Sequence, residues 1–340
     1  MDRVLPESDA TAVAPSKRVV LSIVLPVFNE ALTLPELYRR VTTVLNTLHE
    51  PYEMIFVNDG SADQSLETLT ALAGDDPRVK IVNFSRNFGH QLAITAGLDY
   101  SRGQAVIVMD ADLQDPPEVL PLLYHQWRAG YDVVYAVRTE HLGESVFKRG
   151  TAALFYRLLT RVVKIDIPAN VGDFRLMSRR AVEALSRLRE RQRFVRGLAS
   201  WIGFRQTAVT FVREGRYAGE TKYPLRKMLR FALDGLASFS LLPLQLATYL
   251  GLSAAAGSLV YLMYAVGLKV FTERSIPGWA SLIVAILFVG GVQLLTLGII
   301  GEYIGRIYEE VKQRPLYIVA DTVGFAPTDA AQTDGTVGAQ

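Results

Sequence analysis

Two long stretches without a charged side chain limit what this chain can fold into more than any other feature. Gly235 to Leu268 is 34 residues and Ser275 to Gly301 is 27, and neither contains Asp, Glu, Lys or Arg. At about 1.5 Å of rise per residue, either run as a helix matches or exceeds the roughly 30 Å hydrocarbon layer of a bilayer. The other home for such runs is a pair of buried helices in a large soluble core, which rarely holds uncharged helices this long. A mean hydropathy of +0.19 with 50% hydrophobic residues points the same way. The pattern therefore predicts a transmembrane hairpin within 241–305, with spans at about 243–268 and 279–303 and with Pro243 and Pro277 near the helix starts. The linker Lys269–Arg274 is too short to be a domain, so both long flanks lie on one side. Arg226, Lys227 and Arg230 before the hairpin, and Arg306, Lys312 and Arg314 after it, place that side in the cytoplasm of an inner or plasma membrane; Lys269 and Arg274 weaken the contrast.

Composition removes several function classes. Lys+Arg 36 against Asp+Glu 34 leaves +2, so no nucleic-acid partner is expected. With no cysteine there are no disulfides, thiolate nucleophiles, iron–sulfur clusters or Cys-type zinc sites. The four histidines, His49, His90, His125 and His141, have no metal-ligand spacing. Residues 1–17 are polar with no apolar core, which predicts a flexible N-terminus and no secretory signal. The cytoplasmic tail 306–340 becomes rich in Gly, Ala, Thr and Asp after Ala320, and its end is expected to be disordered.

Between these lies a region of alternating short apolar runs and helical patterns. Val19–Val27, Glu53–Asn58, Val79–Phe84, Ala105–Asp110 and Asp132–Val137 read as strands. Leu34–Leu48, Ser65–Ala73, Gln91–Ser101 and Pro117–Ala129 read as the helices around them. Nearly continuous apolar strands fit a parallel sheet covered on both faces. The fold class is therefore α/β, a doubly wound, mostly parallel sheet occupying 18–223, and such folds bind ligands beyond the carboxyl ends of their strands. Polar clusters stand at those ends: Asn29-Glu30, Asn58-Asp59-Gly60-Ser61 and Asp110-Ala111-Asp112.

Neither G-x-G-x-x-G nor G-x-x-x-x-G-K-[ST] follows any strand, and Pro26-Val27-Phe28-Asn29-Glu30 stands where a dinucleotide fingerprint would. The most informative stretch is Asp110-Ala111-Asp112-Leu113-Gln114-Asp115-Pro116-Pro117. Two carboxylates at a strand end suit Mg²⁺ or Mn²⁺ arriving with a diphosphate, because these ions take few protein ligands and use substrate oxygens. The same residues could equally cap the turn before a Pro-Pro helix start.

The succession Pro26-x-x-Asn29-Glu30, Asn58-Asp59-Gly60-Ser61, Ser85-Arg86-Asn87-Phe88-Gly89 and Asp110-x-Asp112-Leu113-Gln114 resembles glycosyltransferase family 2, with its GT-A fold. Gly172-Asp173-Phe174-Arg175-Leu176 and the C-terminal hairpin narrow the resemblance to bacterial polyprenyl-phosphate glycosyltransferases, relatives of dolichyl-phosphate mannose synthase. Among these it looks most like the O-antigen-modifying enzymes that charge undecaprenyl phosphate from UDP-glucose. The resemblance implies a nucleotide-sugar donor, a polyprenyl phosphate acceptor and a Mg²⁺ or Mn²⁺ cofactor. Residue by residue, it implies that Asp59 contacts the nucleotide base, with Pro26, Phe28 and Glu30 beside it. Asp110 and Ala111 would meet the ribose–diphosphate region, and Asp112 and Gln114 would hold the cation. Asp173 would stand at the position of a catalytic base, with Arg138, Arg216 and Lys222 binding phosphate. Arg138 could also be a surface ion-pair partner, and Arg216 and Lys222 could be headgroup anchors. Asn87 and Gly89 fit a loop-shaping role better than a substrate contact.

A lipid acceptor needs the site held at a membrane surface. Residues 145–164 interleave Phe147, Leu154, Phe155, Leu158 and Leu159 with Lys148, Arg149, Arg157, Arg161 and Lys164, which reads as an interfacial helix or as an ordinary packed one. A second such helix is expected at 224–240. Small-residue spacings in the hairpin, such as Gly301-x-x-x-Gly305, allow close helix contact within one chain or between protomers, and a homo-oligomer is expected. Other readings keep the acceptor and change the donor to GDP-mannose or a UDP-linked amino-pentose. A processive polysaccharide synthase is disfavoured because Gln192-Arg193-Phe194-Val195-Arg196 lacks the Q-x-x-R-W spacing. A non-catalytic membrane scaffold is disfavoured by the intact Asp59, Asp110, Asp112 and Asp173.

Overall fold

The computed structural model describes residues 18–138, 171–191, 193–212, 242–272 and 278–325. The predicted elements at 145–164 and 224–240 lie outside them. The core is an eight-stranded mixed sheet in the order β7-β5-β6-β4-β1-β2-β3-β8. Its central strands β1 (Leu21–Val27), β2 (Tyr52–Asn58), β3 (Val79–Phe84) and β4 (Ala105–Val108) are mutually parallel. Every residue of β1, β2 and β4 is buried, as the unbroken apolar runs require of strands covered on both faces. Helices α1 (Leu34–Thr47), α2 (Ser65–Asp75), α3 (His90–Tyr100) and α4 (Leu120–Arg128) alternate with them, each within a few residues of expectation.

Three strands were not expected. β6 (Val171–Ser178) runs antiparallel between β4 and β5 (Val133–Arg138), and β7 (Gln206–Phe211) lies parallel to β5 at one edge. β8 (Val319–Val323) pairs antiparallel with β3 at the other edge. The expectation of a structureless chain after Ala320 is corrected for Asp321–Val323: the sheet draws its last strand from beyond the hairpin. Asn83 Nδ2 donates to Asp321 Oδ2 at 2.8 Å, and the Tyr317 ring stacks on Phe84 at 5.1 Å. The Tyr317 hydroxyl donates to Asp99 at 2.8 Å. Two short helices, α5 (Arg179–Ser186) and α6 (Val195–Trp201), pack beside β6.

The two apolar runs form α7 (Leu242–Thr272) and α8 (Trp279–Val311), packed on each other. At 31 and 33 residues they are about 45 and 50 Å long. α8 outruns the predicted end at 303 by two turns; Glu302 pairs with Arg306 at the start of this extension and Glu309 with Lys312 at its end. Among the described residues one stretch, Phe288–Val311, is long and apolar enough to cross a membrane by length and composition, and none of it is buried. Leu252, Val260, Met263, Leu294 and Leu297 are all exposed, apolar residues of the kind that a helix in water would turn inward. The Arg191 N–H donates to Glu310 Oε1 at 2.7 Å, tying the end of α8 to the sheet domain.

The seat of α3 sets the position of its first residue, His90. Gly97 in that helix lies so close to β1 that an added Cβ would stand 2.1 Å from Val24 Cγ1. A methyl there would gain up to about 1 kcal/mol of helix propensity. It would lose about 1–3 kcal/mol by overpacking against a fully buried β-branched side chain. We therefore expect Gly97→Ala to lower the thermal midpoint of the detergent-solubilised protein. Gly74→Ala in α2, where a Cβ meets nothing within 4 Å, should raise it slightly. Equal responses would refute the close contact between α3 and β1.

Candidate active site

Strand direction gathers the polar residues. The four parallel strands end at Val27, Asn58, Phe84 and Val108 on one edge. β6 runs the opposite way and pairs Arg175 with Val108, so Asp173, two residues earlier, lies just beyond the end of β4. β5 ends at this edge with Arg138, and α3 begins there with His90.

Asp173 is the centre of the arrangement. Its side chain is 2% exposed and is ringed by donors. Arg196 grips it with Nε on Oδ1 at 2.9 Å and Nη2 on Oδ2 at 3.0 Å. Gln91 Nε2 donates to Oδ2 at 3.2 Å, His90 Nε2 lies 3.3 Å from the same oxygen, and Arg175 Nη2 reaches Oδ1 at 3.4 Å. Burial alone would raise the pKa of this carboxyl. Hydrogen bonds from His90 and Arg196, with the charges of Arg196 and Arg175, more than reverse that and hold it well below the usual carboxylate range. Arg175 is itself fully buried, packed over the Tyr135 ring and donating to the Gly172 carbonyl.

His90 bridges from Asp173 to Asp110, whose Oδ1 is 3.4 Å from Nε2. Burial pushes the imidazole pKa down, but the Asp173 hydrogen bond and the charges of Asp110 and Asp173 outweigh it and hold the group above 6.5. Asp110 is raised by burial, partly offset by His90, and its Oδ1 is a buried oxygen without a hydrogen-bond partner among the described residues. β4 ends at Val108, two residues before the predicted end, so Asp110 and Asp112 stand in the loop rather than on the strand. That loop turns at Leu113, which takes a left-handed φ of 57°, and Gln114 N–H donates to Asp112 Oδ1 at 3.1 Å. A left-handed leucine costs on the order of 1–2 kcal/mol, a strain found where surrounding structure enforces a site. Ala111 is buried beneath the two carboxylates. Among the described residues no group of three or more His, Asp or Glu could hold a metal by itself. The hard-oxygen pair Asp110 and Asp112, with the amide of Gln114 nearby in the chain, nevertheless suits a cation whose other ligands come from a diphosphate.

The remaining expected residues divide. Arg138 Nη2 lies 3.4 Å from the fully buried Asp115, so it borders the carboxylate loop and is ion-paired there. Asp59 is buried and accepts from Phe88 N–H at 2.6 Å and Gly89 N–H at 3.0 Å, and burial outweighs these bonds to raise its pKa. Its carboxylate thus locks the Ser85–Gly89 loop, assisted by Gly60, whose φ of 66° allows backbone contact with Arg86 and Asn87. Pro26 is buried near the end of β1, and Phe28 is 49% exposed on the loop that follows. Glu30 accepts from Thr33 Oγ1 at 2.9 Å, and Asn29 takes a φ of 56°. Arg216 and Lys222 lie outside the described residues.

Four site residues were not found from sequence. Gln91 begins the predicted third helix, and His90 stands just before it, directly after the Ser85–Gly89 motif. Arg175 lies inside the Gly172–Leu176 motif, and Arg196 belongs to the segment weighed only against the processive-synthase pattern. A carboxylate expected at a sheet edge was the available signal, since burying it demands cations nearby.

With this geometry in view, comparison with known proteins is direct. Residues 22–186 match glycosyl transferase family 2, and residues 242–307 match the GtrB C-terminal hairpin. The chain belongs to glycosyltransferase family 2, and it is a glycosyltransferase with the GT-A sheet of that family. It is 54% identical to an uncharacterized glycosyltransferase, YkcC, of Bacillus subtilis (strain 168), over 91% of this chain and 96% of the relative. It is 44% identical to an SfII prophage-derived bactoprenol glucosyl transferase of Shigella flexneri, over 88% and 97%. A prophage bactoprenol glucosyl transferase homolog of Escherichia coli (strain K12) is 42% identical over 88% and 98%. The hairpin match and the apolar face of α8 together make the chain membrane-associated.

The Asp173 cluster has a measurable consequence. Asp173→Asn leaves the buried Arg175 without its charge partner, at a cost of about 3–5 kcal/mol at pH 7. A carboxyl whose folded pKa is depressed contributes fully above its unfolded value of 3.8 and loses that contribution as pH falls towards the folded value. The gap in thermal midpoint between wild type and Asp173→Asn should therefore be wide at pH 7 and narrower at about pH 3. A gap that is the same at both would show that the charge of Asp173 does not matter to stability.

Proposed function

We propose that this enzyme transfers glucose from UDP-glucose to undecaprenyl phosphate at the cytoplasmic face of the membrane, with inversion at the anomeric carbon. The observation that carries the reading is the meeting at one sheet edge of a carboxylate pair, Asp110 and Asp112, with a basic pair, His90 and Arg196. One set suits a divalent cation carried by a diphosphate, the other suits phosphate oxygens. The bactoprenol glucosyl transferases among the relatives support the acceptor class and the sugar.

In the proposed reaction a phosphate oxygen of the lipid forms a bond to the anomeric carbon as the bond from that carbon to the diphosphate breaks, releasing UDP. A phosphate monoester has a second pKa near 6 and is already mostly dianionic at pH 7, so the nucleophile carries no proton that must be removed. This agrees with an Asp173 held so firmly as an anion that it is a poor proton acceptor; its part is to fix His90 and Arg196. Asp112 and Gln114, with Asp110 beside them, would hold Mg²⁺ or Mn²⁺, which would supply positive charge to the leaving diphosphate. Phe28 offers an exposed ring to the base, while Asp59 shapes the loop next to it and remains the proposed contact to the base. Arg138, Arg216 and Lys222 remain the proposed further phosphate contacts.

The test is nucleoside diphosphate release by purified protein in detergent with undecaprenyl phosphate. UDP-glucose, UDP-galactose, GDP-mannose and a UDP-linked amino-pentose would be offered separately. Release should occur from UDP-glucose only, require the lipid, stop with a chelator and return with Mn²⁺ or Mg²⁺. Asp112→Ala should slow it by about 10²–10³-fold, the scale for losing a group that stabilises transition-state charge. Release from a different donor would correct the sugar, and release without lipid would overturn the acceptor.

A further inference from the structure

We propose that Arg196 is an anion-binding side chain of this site, touching a phosphate oxyanion of the substrates, and that Asp173 is the positioning residue that aims it. The proposal deepens the reading above and rests on it only for which phosphate is present.

One buried carboxylate needs one cation, and Arg175, fully buried and 3.4 Å from Asp173 Oδ1, supplies it from the core side. Arg196 is a second guanidinium on the same carboxylate and differs from the first in facing outward: its side chain is 31% exposed, against 1% for Arg175 and 2% for Asp173. A guanidinium recruited only to neutralise a buried charge would have no need to reach solvent.

Nε and Nη2 of Arg196 engage both oxygens of Asp173, which fixes the plane of the guanidinium. The preceding residue is also held at both ends: Val195 N–H donates to Gln91 Oε1 at 3.0 Å, and Arg175 Nη1 reaches the Val195 carbonyl at 3.5 Å. An arginine ordinarily loses rotamer freedom when it binds a ligand. Here that loss is already met in the folded protein, as suits a residue whose task is to receive an anion in one orientation.

Asp173 and Asp110 both lie within 3.4 Å of His90 Nε2, so Arg196 is linked to the proposed cation-holding loop through two side chains, Asp173 and His90. A diphosphate or phosphate there would meet carboxylates through a divalent cation on one flank and guanidinium on the other.

The experiment uses full-length protein in detergent and reads binding, not turnover. UDP affinity in Mn²⁺ would be measured by calorimetry, and undecaprenyl phosphate affinity by direct lipid binding, for wild type, Arg196→Ala, Arg196→Lys and Asp173→Asn. Loss of a charged hydrogen bond predicts that Arg196→Ala weakens one of the two by about 10- to 100-fold. A loss confined to UDP assigns Arg196 to the donor diphosphate; a loss confined to the lipid assigns it to the acceptor phosphate. Arg196→Lys, which keeps charge without the fork, should lose less, and Asp173→Asn should lower the same affinity as Arg196→Ala. Added guanidinium ion should restore binding to Arg196→Ala alone, which a purely structural role would not predict. Unchanged affinity for both ligands in Arg196→Lys and Arg196→Ala, whatever happens to the melting temperature, would overturn the proposal; where Arg196→Ala fails to fold, unchanged Arg196→Lys does so. Because UDP binding needs neither glucose nor the lipid, a wrong sugar or acceptor in the proposed reaction would leave this result readable.

Discussion

The carboxylate of Asp173 is buried, and an isolated buried charge is expensive enough that the protein around it must be organised to compensate it. That requirement reaches through three elements. Arg175 comes from the same strand, His90 and Gln91 from the start of α3, and Arg196 from the start of α6. Elements far apart in the chain are thereby drawn to one point at the carboxyl edge of the sheet. The position of α3 in turn depends on Gly97 against Val24, so tight packing in the core and polar compensation at the edge set the same residue, His90, from two directions.

Much of this fold is legible from the chain, and the reasons differ by element. β1 to β5 and α1 to α4 stand out because the strands are short, mostly apolar runs, as strands covered on both faces must be, separated by segments of helical period. β6 was read as chemistry and not as a strand, since Asp173 and Arg175 interrupt its apolar character; they are tolerated within it because each neutralises the other. β7 is an edge strand, half-buried and mixed in character, and β8 is only five residues, running into a tail rich in Gly, Ala, Thr and Asp. Neither carries enough local pattern to stand out, and both exist because the sheet offers them a partner. The carboxylates at strand ends were legible for a similar reason, their place in the topology being fixed by the strands. His90 and Arg196 were not, because what marks them is proximity to Asp173 in space, and no spacing in the sequence encodes it.

Asp59 shows the same limit from the other side. Its sequence position, just past β2, is where a ligand contact would be sought, yet both carboxylate oxygens accept backbone N–H groups of the next loop. It contributes to the site by giving Phe88 and Gly89 a fixed path into α3, and so again by placing His90. A residue at a strand end can thus serve a ligand pocket through the backbone it holds, beside any contact its side chain makes.

The last strand bears on how such a domain can work at a membrane. α8 leaves its apolar stretch as a charged helix that reaches Arg191, and the chain then continues through Tyr317, stacked on Phe84, into β8 along β3. The hairpin is thus continuous with the sheet at its exit, by a route stiffer than a flexible linker would be. For an enzyme acting on a lipid phosphate this matters physically. The acceptor is confined to a plane, so the site must be confined to nearly the same plane, and every degree of freedom between sheet and hairpin lowers the fraction of time the two coincide. Strand pairing, ring stacking and the Tyr317–Asp99 hydrogen bond remove several of those freedoms at once. On the proposed function, β8 belongs to the machinery of acceptor capture even though it lies at the opposite edge of the sheet from Arg138.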